Sequence, residues 1–340
     1  MRGAGGPIWD DLASAEDLAA LDPGPQPIDG KPDVLVVGGG AIGLCVAASC
    51  VDEGMTVFLV ERGRLADGAS GRAAGGLSPD AHPELGDEWA TLARRSLALH
   101  RELDERDDYG LRDLDLLIPP DVRIPDQAHA DPLRFAASLA RRAGEISTRT
   151  SSEYTLTSGG RVVTVNTNRG VIQPGVVVFA TGIAPPQVPH MRQSLVKGHL
   201  VATEPAGFVL DEIVADGEIL VLQTQDGRLV AGGTKDRDDT TEPVDETTAD
   251  RVMQRLIELA PRAAGLARTH AWTCFRPCCA DELPVVDLVP GLRNAWFVAG
   301  LYSTGILMAP VIGETVAAWI AKGRPDTIEQ FGSGRSTLAG

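Results

Sequence analysis

Residues 33–79 decide the fold and read DVLVVGGGAIGLCVAASCVDEGMTVFLVERGRLADGASGRAAGGLSP. The stretch begins with an apolar run at residues 34–37, which has the length of a buried strand. An apolar pattern with helical spacing follows over residues 41–51, and a second apolar run occupies residues 56–60. Strand, helix and strand in this order predict an α/β fold built on a parallel sheet.

The glycines between the first strand and the helix have the G-x-G-x-x-G spacing of a dinucleotide-binding turn. Gly38 allows a tight turn, Gly40 lets the backbone approach a pyrophosphate, and Gly43 lets the helix pack closely on the strand. Glu61 follows the second strand, where a carboxylate accepts hydrogen bonds from a ribose, which favours an adenosine without a 2′-phosphate. The motif alone does not separate NAD from FAD, and a purely structural turn is the alternative.

Composition and charge exclude several classes of function. The chain has 340 residues, 43% of them hydrophobic, which gives room for one large or two intertwined domains. Its net charge of −16 argues against nucleic acid as a partner. No secretory signal or membrane-spanning run is expected, and the five cysteines lack a zinc-like spacing, so we expect reduced thiols, no metal and a cytoplasmic location.

The rest of the chain continues the alternation of helices and strands. An N-terminal extension with one short helix, residues 9–21, precedes the first strand and has no functional interpretation. Further elements are predicted as helices at 85–109, 133–143, 247–259 and 310–322 and as buried strands at 175–182 and 295–299.

A loop rich in small residues follows Glu61 and lets the backbone lie flat against a planar ligand. Its string ASGRAAGGL, residues 69–77, resembles the flavin-contacting loop of the D-amino acid oxidase superfamily, and of glycine oxidases in particular. The strand GVVVFATG, residues 175–182, is similar to the strand that closes the FAD site in two-dinucleotide-binding flavoproteins. The resemblance implies FAD as the cofactor, bound without a covalent link.

Two further strings extend the resemblance to glycine oxidases over residues 33–325. They are W-x-x-x-R-P at 272–277 and GLYSTGILMAP at 300–310, which is similar to G-H-F-R-N-G-I-L-L-A-P. The resemblance implies a Rossmann-like FAD-binding domain interleaved with an antiparallel-sheet substrate domain. The segments expected are 1–32 for the extension, 33–84, 131–195 and 291–325 for the FAD-binding domain, and 85–130 and 196–290 for the substrate domain.

Carried over residue by residue, the resemblance assigns a set of positions to the cofactor. They are Gly38, Gly40, Ala41, Ile42, Gly43, Glu61, Arg62, Ser70, Arg72, Ala73, Ala74, Gly75, Leu77, Thr181, Gly182, Gly300, Thr304, Gly305, Ile306 and Leu307. The last of these would bring backbone N–H groups of a helix start to the pyrimidine end of the flavin.

Arg276 is the predicted grip for a substrate carboxylate, because a guanidinium holds a carboxylate in a bidentate fork. The alternative is a structural ion pair with Asp281 or Glu282. His199 is interpreted as structural. Cys274 corresponds to the flavin-linked cysteine of monomeric sarcosine oxidases, but a buried, unreactive thiol is the expectation.

The remaining pocket positions depart from the glycine oxidase pattern. Gly76 replaces a methionine, Ser303 replaces an arginine beside Tyr302, Leu301 replaces a histidine, and Leu220 falls near the position of a tyrosine. The expected pocket is wider and more apolar than glycine needs. The chain looks like relatives in macrolactam antibiotic pathways that oxidise an N-carboxymethyl β-amino acid.

These residues predict an FAD-dependent amine oxidase. The glycyl CH₂–N bond of an N-substituted glycine would be oxidised to an imine, hydrolysed to glyoxylate and the free amine, with O₂ as the acceptor and H₂O₂ formed. One alternative is oxidation of glycine, sarcosine or a small D-amino acid; another is a non-catalytic flavin-binding subunit. The expected partners are the small-molecule substrate, O₂ and possible further copies of the chain.

Overall fold

The structure is a computed structural model that describes residues 6–156, 159–185, 188, 191–322 and 330–339. Parts of the predicted domain segments lie outside the described residues: 1–5, 157–158, 186–187, 189–190 and 323–325.

Helices and strands alternate along the chain. The α-helices are α1 Trp9–Leu12, α2 Ala15–Leu21, α3 Ala41–Asp52, α4 Asp87–Asp107, α5 Pro132–Ala140, α6 Glu246–Leu259 and α7 Gly305–Lys322. The first nine strands are β1 Val34–Val37, β2 Val57–Val60, β3 Gly76–Leu77, β4 Arg112–Ile118, β5 Val122–His129, β6 Glu145–Ser147, β7 Ser152–Leu156, β8 Val162–Thr167 and β9 Gly170–Ile172. The remaining strands are β10 Val176–Gly182, β11 Gln193–Pro205, β12 Glu212–Ala215, β13 Leu220–Gln223, β14 Arg228–Gly232, β15 Arg268–Cys279, β16 Val285–Leu288 and β17 Ala295–Ala299.

A six-stranded sheet with the order β16-β17-β10-β1-β2-β6 carries the predicted dinucleotide-binding turn. Strand β1 lies at its centre and pairs in parallel with both β10 and β2. Strands in the middle of a parallel sheet are covered on both faces, so they are apolar throughout. For this reason β1 and β2 are recognisable in the sequence as short apolar runs. The parallel pairing confirms the predicted α/β fold.

An eight-stranded sheet, ordered β15-β11-β14-β13-β12-β4-β5-β3, forms the second layer of the molecule. Its longest pairing joins β11 to β15 from Gln193 opposite Cys279 to Thr203 opposite Arg268. Side chains alternate between its faces. One face packs on α6 through residues that include Val201, Val221, Leu229, Ala231 and Ala271. The other belongs to the main core through residues that include Leu200, Ala202, Leu222, Val230 and Trp272.

Two short strands belong to a different sheet from the one that their predicted domain segment implies. Strand β16 falls in the segment 196–290 but pairs antiparallel with β17 in the six-stranded sheet. Strand β3 falls in the segment 33–84 but pairs with β5 in the eight-stranded sheet. Both strands follow a chain crossing between the sheets. Strand β3 pairs with β5, which is distant in sequence, whereas β16 forms a hairpin with β17, and β17 joins the sheet by pairing with the distant β10.

The N-terminal extension forms two helices, where the sequence predicts one over residues 9–21. The break occurs because Ser14 begins a new helix: its hydroxyl accepts from the Asp17 N–H at 3.0 Å, and the Asp17 carboxylate accepts from the Ser14 N–H at 3.2 Å. This reciprocal capping box satisfies two backbone donors at the start of α2.

Helix α7 begins at Gly305, earlier than the predicted start at residue 310. Pro310 lies inside the helix and has no N–H for the carbonyl of Ile306, four residues before it. The buried ring of His100 on α4 supplies the missing donor, because its Nε2 lies 3.0 Å from the Ile306 oxygen. A contact between two helices therefore repairs the helix that the proline would otherwise interrupt.

Helix α7 is also long and apolar enough to cross a membrane by length and composition alone. It packs against α3 and α4, and 61% of its apolar window is buried inside the protein. We therefore describe it as a core helix.

His100 predicts a specific dependence of stability on pH. Burial lowers the pKa of His100 to about 4, from 6.5, so the ring is neutral in the folded protein. Since the unfolded state binds this proton at a higher pH, the free energy of unfolding falls as pH drops from 6.5 towards 4. At pH 5 this single group costs about 2 kcal/mol relative to pH 7.

Urea denaturation of the wild type and His100→Gln at pH 7 and pH 5 measures this cost. The variant should lose less stability than the wild type between the two pH values, by about 2 kcal/mol. Equal losses in both proteins would contradict the neutral, buried state of His100.

Candidate active site

The turn between β1 and α3 has no space for side chains. Gly38 has φ +112°, and a Cβ atom there would lie 2.4 Å from the carbonyl oxygen of Ala180 on β10. A Cβ on Gly43 would lie 1.9 Å from the carbonyl oxygen of Gly38. Gly38 and Gly43 therefore hold the positions that the sequence predicts for the tight turn and for close packing of helix on strand.

The start of α3 offers backbone donors for a phosphate group. Gly40 is its N-cap, and the first turn contains no acidic residue. The hydroxyl of Ser70 accepts from the Ala41 N–H at 2.9 Å and would lie 3.2 Å from a Cβ on Gly40. Ile42 and Gly43 lie in the first turn of the helix, where backbone N–H groups have no carbonyl acceptor within the helix. Their N–H groups therefore remain available to an anion.

Glu61 stands beside this turn at the end of β2. One carboxylate oxygen accepts from the Gly39 N–H and the other from the Gly63 N–H, both at 2.7 Å. A carboxylate has about four lone-pair positions, so these contacts fix its orientation and leave capacity for ribose hydroxyls. Arg62, the next predicted residue, is exposed.

The small-residue loop is held from both sides. The indole N–H of Trp9, from the N-terminal extension, donates to the Ala73 carbonyl at 2.8 Å. The indole N–H of Trp272, from β15, donates to the Arg72 carbonyl at 2.9 Å. Gly75 has φ +86°, and a Cβ there would lie 2.2 Å from the Ala130 carbonyl oxygen. The loop backbone is thus fixed by distant elements, and the Trp9 contact was not predicted from the sequence.

Other predicted cofactor residues in this region have their side chains engaged or buried. The Arg72 guanidinium donates to the Asp67 carbonyl at 3.2 Å. The Thr181 hydroxyl donates to the Ile183 carbonyl at 2.7 Å. The side chain of Leu77 is fully buried in the main core, so only its backbone is left to contact a ligand. The side chain of Ala74 packs against the same core.

The segment 300–307 brings a second helix start to the ends of the parallel strands. The Gly300 N–H donates to the carbonyl of Gly182, at the end of β10, at 3.0 Å. Gly300 has φ +72°, and a Cβ there would lie 2.1 Å from the Cys279 sulfur. The Thr304 carbonyl accepts the helical hydrogen bond from the Met308 N–H at 2.9 Å. The N–H groups of Gly305, Ile306 and Leu307 therefore form the first turn of α7.

Arg276 on β15 is free of the structural ion pairs considered from the sequence. Asp281 binds Arg335 at 2.6 Å, and Glu282 binds Arg237. No carboxylate oxygen of the described residues lies within 4.0 Å of the Arg276 guanidinium, which makes one hydrogen bond to the Thr234 carbonyl at 2.9 Å.

Space for the Arg276 guanidinium comes from a glycine on the neighbouring strand. A Cβ on Gly198 would lie 2.4 Å from one of its terminal nitrogens. The Arg276 side chain is only half-buried, so the remaining donors can reach a ligand.

Tyr302 lies beside Arg276 in a strained backbone conformation. Its φ is +47°, which is uncommon for a residue with a bulky side chain, and its N–H donates to the Pro277 carbonyl at 2.8 Å. Its hydroxyl oxygen is buried and has no hydrogen-bond partner among the described residues. Burial raises the pKa of Tyr302, which keeps the hydroxyl protonated. Strain and an unpaired buried hydroxyl together are typical of a ligand site.

Gly76 faces an apolar wall. A Cβ there would make ordinary contacts with Leu222 at 3.9 Å and Ile213 at 4.0 Å. Leu220 is two residues before Leu222 on β13, so it lies on the same face of that strand. Ser303 is exposed, and its hydroxyl lies 3.5 Å from the Nε2 of His82.

The two other residues singled out from the sequence have structural contacts. The Nε2 of His199 accepts from the Asp245 N–H at 3.0 Å, at the N-cap of α6. The thiol of Cys274 donates to the Ala69 carbonyl at 3.6 Å. Burial raises the pKa of Cys274, so the nucleophilic thiolate is disfavoured.

Sequence reasoning missed two cations around Tyr302. The Lys235 nitrogen lies 6.0 Å from the centre of its ring, and the Arg237 guanidinium carbon lies 5.7 Å from it. Both lie just beyond β14, and only the pairing of β14 with β11 and of β11 with β15 brings them to Arg276. The string TKDRDD, residues 234–239, contains no periodic signal of this placement.

These features define a dinucleotide-binding oxidoreductase with a substrate sheet beside its nucleotide turn. The chain belongs to the DAO family of FAD dependent oxidoreductases, whose family model matches residues 33–121 and 118–319. FAD is therefore its cofactor, and the FAD-type fold and flavoenzyme class expected from the sequence are confirmed. The open first turn of α3 fits the pyrophosphate and the oriented carboxylate of Glu61 fits a ribose.

The relatives of the chain include glycine oxidases. It is 27% identical to the glycine oxidase of Pseudomonas aeruginosa, over 82% of this chain and 91% of the relative. It is 24% identical to the bifunctional protein ThiO/ThiG of Trichormus variabilis over 87% of this chain, and it spans only 54% of that relative's length.

Solved structures share the fold at lower identity. The glycine oxidase of Bacillus cereus superposes with a TM-score of 0.80 at 20% identity, over 90% of this chain and 99% of that one. The iminodiacetate oxidase of Chelativorans sp. BNC1 superposes with a TM-score of 0.72 at 20% identity, over 88% and 98%.

The state of Cys274 predicts how the flavin is released. Acid precipitation of the purified yellow protein should leave the flavin in the supernatant, because the buried thiol is protonated and already donates to Ala69. The absorbance of supernatant and pellet measures this. Colour that stays in the wild-type pellet and disappears from the Cys274→Ala pellet would instead mean a covalent link.

Proposed function

We propose that the chain is an FAD-dependent oxidase of N-substituted glycines, of the N-carboxymethyl amino acid type. The observation that carries this proposal is the half-buried Arg276 guanidinium, which has no carboxylate partner among the described residues and lies beside the unpaired hydroxyl of Tyr302. A cation and a hydroxyl donor at one place form a receptor for a carboxylate.

The overall reaction converts the N-substituted glycine, O₂ and water to glyoxylate, the free amine and H₂O₂. FAD supplies the acceptor for a hydride from the carbon next to nitrogen. The imine formed by this two-electron oxidation is hydrolysed by water, and the nitrogen leaves with the substituent. O₂ as the acceptor and a cytoplasmic location are parts of the proposal.

The chain contributes orientation of the substrate. Arg276 and Tyr302 hold the carboxylate, which fixes the neighbouring CH₂ against the loop at residues 73–76. Positioning of this kind accounts for a large part of the barrier reduction when the chemistry belongs to the cofactor. The neutral tyrosine hydroxyl donates a hydrogen bond to the carboxylate and stays protonated. A neutral secondary amine then needs no base from the protein.

The nitrogen substituent has an apolar wall to contact. The side chains nearest to the half-buried Gly76 are those of Leu222 and Ile213, which are apolar and themselves buried, and each substrate methylene buried beside Gly76 would stabilise the complex by about 0.8 kcal/mol. This favours a substrate with an alkyl chain, such as an N-carboxymethyl β-amino acid of a macrolactam antibiotic pathway. Iminodiacetate, after which the iminodiacetate oxidase with the same fold is named, is also an N-substituted glycine.

A second candidate is oxidation of glycine itself, which the name of the Pseudomonas aeruginosa relative favours. It needs only the carboxylate grip. Steady-state rates on glycine, sarcosine and N-alkylglycines of rising length separate the two candidates. A protein whose flavin bleaches anaerobically with none of these amines would favour a non-catalytic flavin-binding subunit.

Arg276→Ala should lower kcat/KM for N-alkylglycines by roughly 30- to several-thousand-fold, since truncating one partner of a buried charge pair costs about 2–5 kcal/mol. Arg276→Lys keeps the charge but loses the planar fork, so its loss should be smaller. Rapid-mixing measurement of anaerobic flavin bleaching gives the rates, and bound FAD should stay constant.

Arg293→Ala is the matched control, because Arg293 is exposed and lies just before β17, at the edge of the parallel sheet opposite to the carboxyl ends of the strands. Wild-type bleaching rates in both Arg276 variants would show that the carboxylate binds elsewhere.

Gly76→Met should reduce kcat/KM for long N-alkylglycines by roughly 5- to 150-fold, because overpacking costs about 1–3 kcal/mol. The φ of Gly76 lies outside the left-handed region, so the new side chain does not strain the backbone. Glycine and sarcosine should lose much less, since neither reaches the wall. Gly76→Ala is the matched control, because a Cβ makes only ordinary contacts there. Unchanged rates on long substrates in Gly76→Met would favour the glycine candidate.

A further inference from the structure

Lys235 is fixed next to the carboxylate grip by the backbone on both sides of it. The Thr234 carbonyl before it accepts from Arg276 at 2.9 Å. The backbone of Asp236 after it makes two hydrogen bonds with Lys197 on β11, each 2.8 Å long. The start of the lysine side chain therefore has a defined position, while its flexible stem lets the ammonium group follow a ligand.

Most cations close to this place are neutralised. Arg237 binds Glu282, and the buried Lys197 binds Asp239 at 2.6 Å. Lys235 has no carboxylate oxygen within 4.0 Å among the residues that the structure describes. Glu84, on the segment 83–85, is near enough for its charge to interact with that of Lys235, but its carboxylate lies beyond 4.0 Å from the ammonium and binds His82 at 3.0 Å.

Lys235 and Arg276 are thus two cations near Tyr302 that have no carboxylate oxygen within 4.0 Å among the described residues. They occur in a chain with a net charge of −16, in which a carboxylate partner for a lysine is easy to supply. One carboxylate uses Arg276 and the Tyr302 hydroxyl. The Lys235 ammonium, 6.0 Å from the centre of the Tyr302 ring, remains for a second anionic group.

We propose that Lys235 binds a second carboxylate of the substrate, so the preferred substrate is a secondary amine with two carboxylate groups. This inference rests on the proposed function and adds a specificity-determining residue to it. The glycyl carboxylate binds Arg276, the carboxylate of the nitrogen substituent binds Lys235, and the alkyl part of that substituent spans the distance between the two cations.

Binding of unreactive analogues tests the inference without turnover. In 3-(carboxymethylthio)butanoate a sulfur atom replaces the amine nitrogen and both carboxylates remain. In (sec-butylthio)acetate only the glycyl-type carboxylate remains. Titration of the FAD-loaded protein, followed by the flavin absorption spectrum and by calorimetry, gives a Kd for each compound.

The wild type should bind the diacid about tenfold or more tightly than the monoacid, and added salt should reduce this preference because an exposed ammonium is screened. Lys235→Met should bring the ratio of the two Kd values close to one, and Lys235→Arg should restore part of it. Lys31→Met, which removes an exposed lysine before β1, should keep the wild-type ratio.

A wild-type ratio near one, or a ratio that Lys235→Met leaves unchanged, would overturn the role of Lys235. Failure of the proposed function is distinguishable, because it would appear as an absence of flavin bleaching by N-alkylglycines whatever the ratio of the analogue Kd values.

Discussion

Close approach of backbone at glycines is the constraint on which the structure depends. Helix α3 meets β1 where a Cβ on Gly43 would lie 1.9 Å from the Gly38 oxygen. On another side it meets α7, where a Cβ on Gly313 would lie 2.8 Å from the backbone of Cys45. Any larger residue at either place would separate the helices from the sheet and from each other. The starts of α3 and α7 keep their positions only because these contacts have no side chains between them.

The cofactor site follows from the direction of the strands. Gly38, Glu61, Gly182 and Gly300 lie at or just beyond the carboxyl ends of β1, β2, β10 and β17, which are parallel neighbours in one sheet. Ligands of open α/β sheets bind outside these ends. The backbone donors of two helix starts and one oriented carboxylate therefore converge without any long-range side-chain network. Small residues dominate these motifs because side chains at Gly38, Gly43 and Gly300 would collide with neighbouring atoms.

The sequence was sufficient for features that depend on local spacing. The glycine turn, Glu61, the small-residue loop and the type of fold belong to this class, because each has a short-range steric or hydrogen-bonding cause. The predicted start of α7 was wrong because the donor that compensates for the missing N–H of Pro310 comes from His100, which is far away in sequence. The sheet membership of β16 was not predictable for a similar reason, because its hairpin partner β17 joins the sheet by pairing with the distant β10. The proximity of Lys235 to Arg276 likewise depends on the pairing of the distant strands β11 and β15.

The proposed chemistry rests on Arg276, a cation for which the described residues supply no carboxylate within 4.0 Å. Burying half of a guanidinium with a single carbonyl acceptor costs solvation free energy that a carboxylate partner would recover. Here Asp281 and Glu282 are close in sequence but bind other arginines, Arg335 and Arg237. In the proposed function, a substrate carboxylate gives Arg276 the stabilisation that these two side chains do not. The folded protein already carries the desolvation cost of Arg276, so a ligand carboxylate that pairs with it would gain affinity by removing this cost. The strained backbone of Tyr302 is a second local cost at the same place.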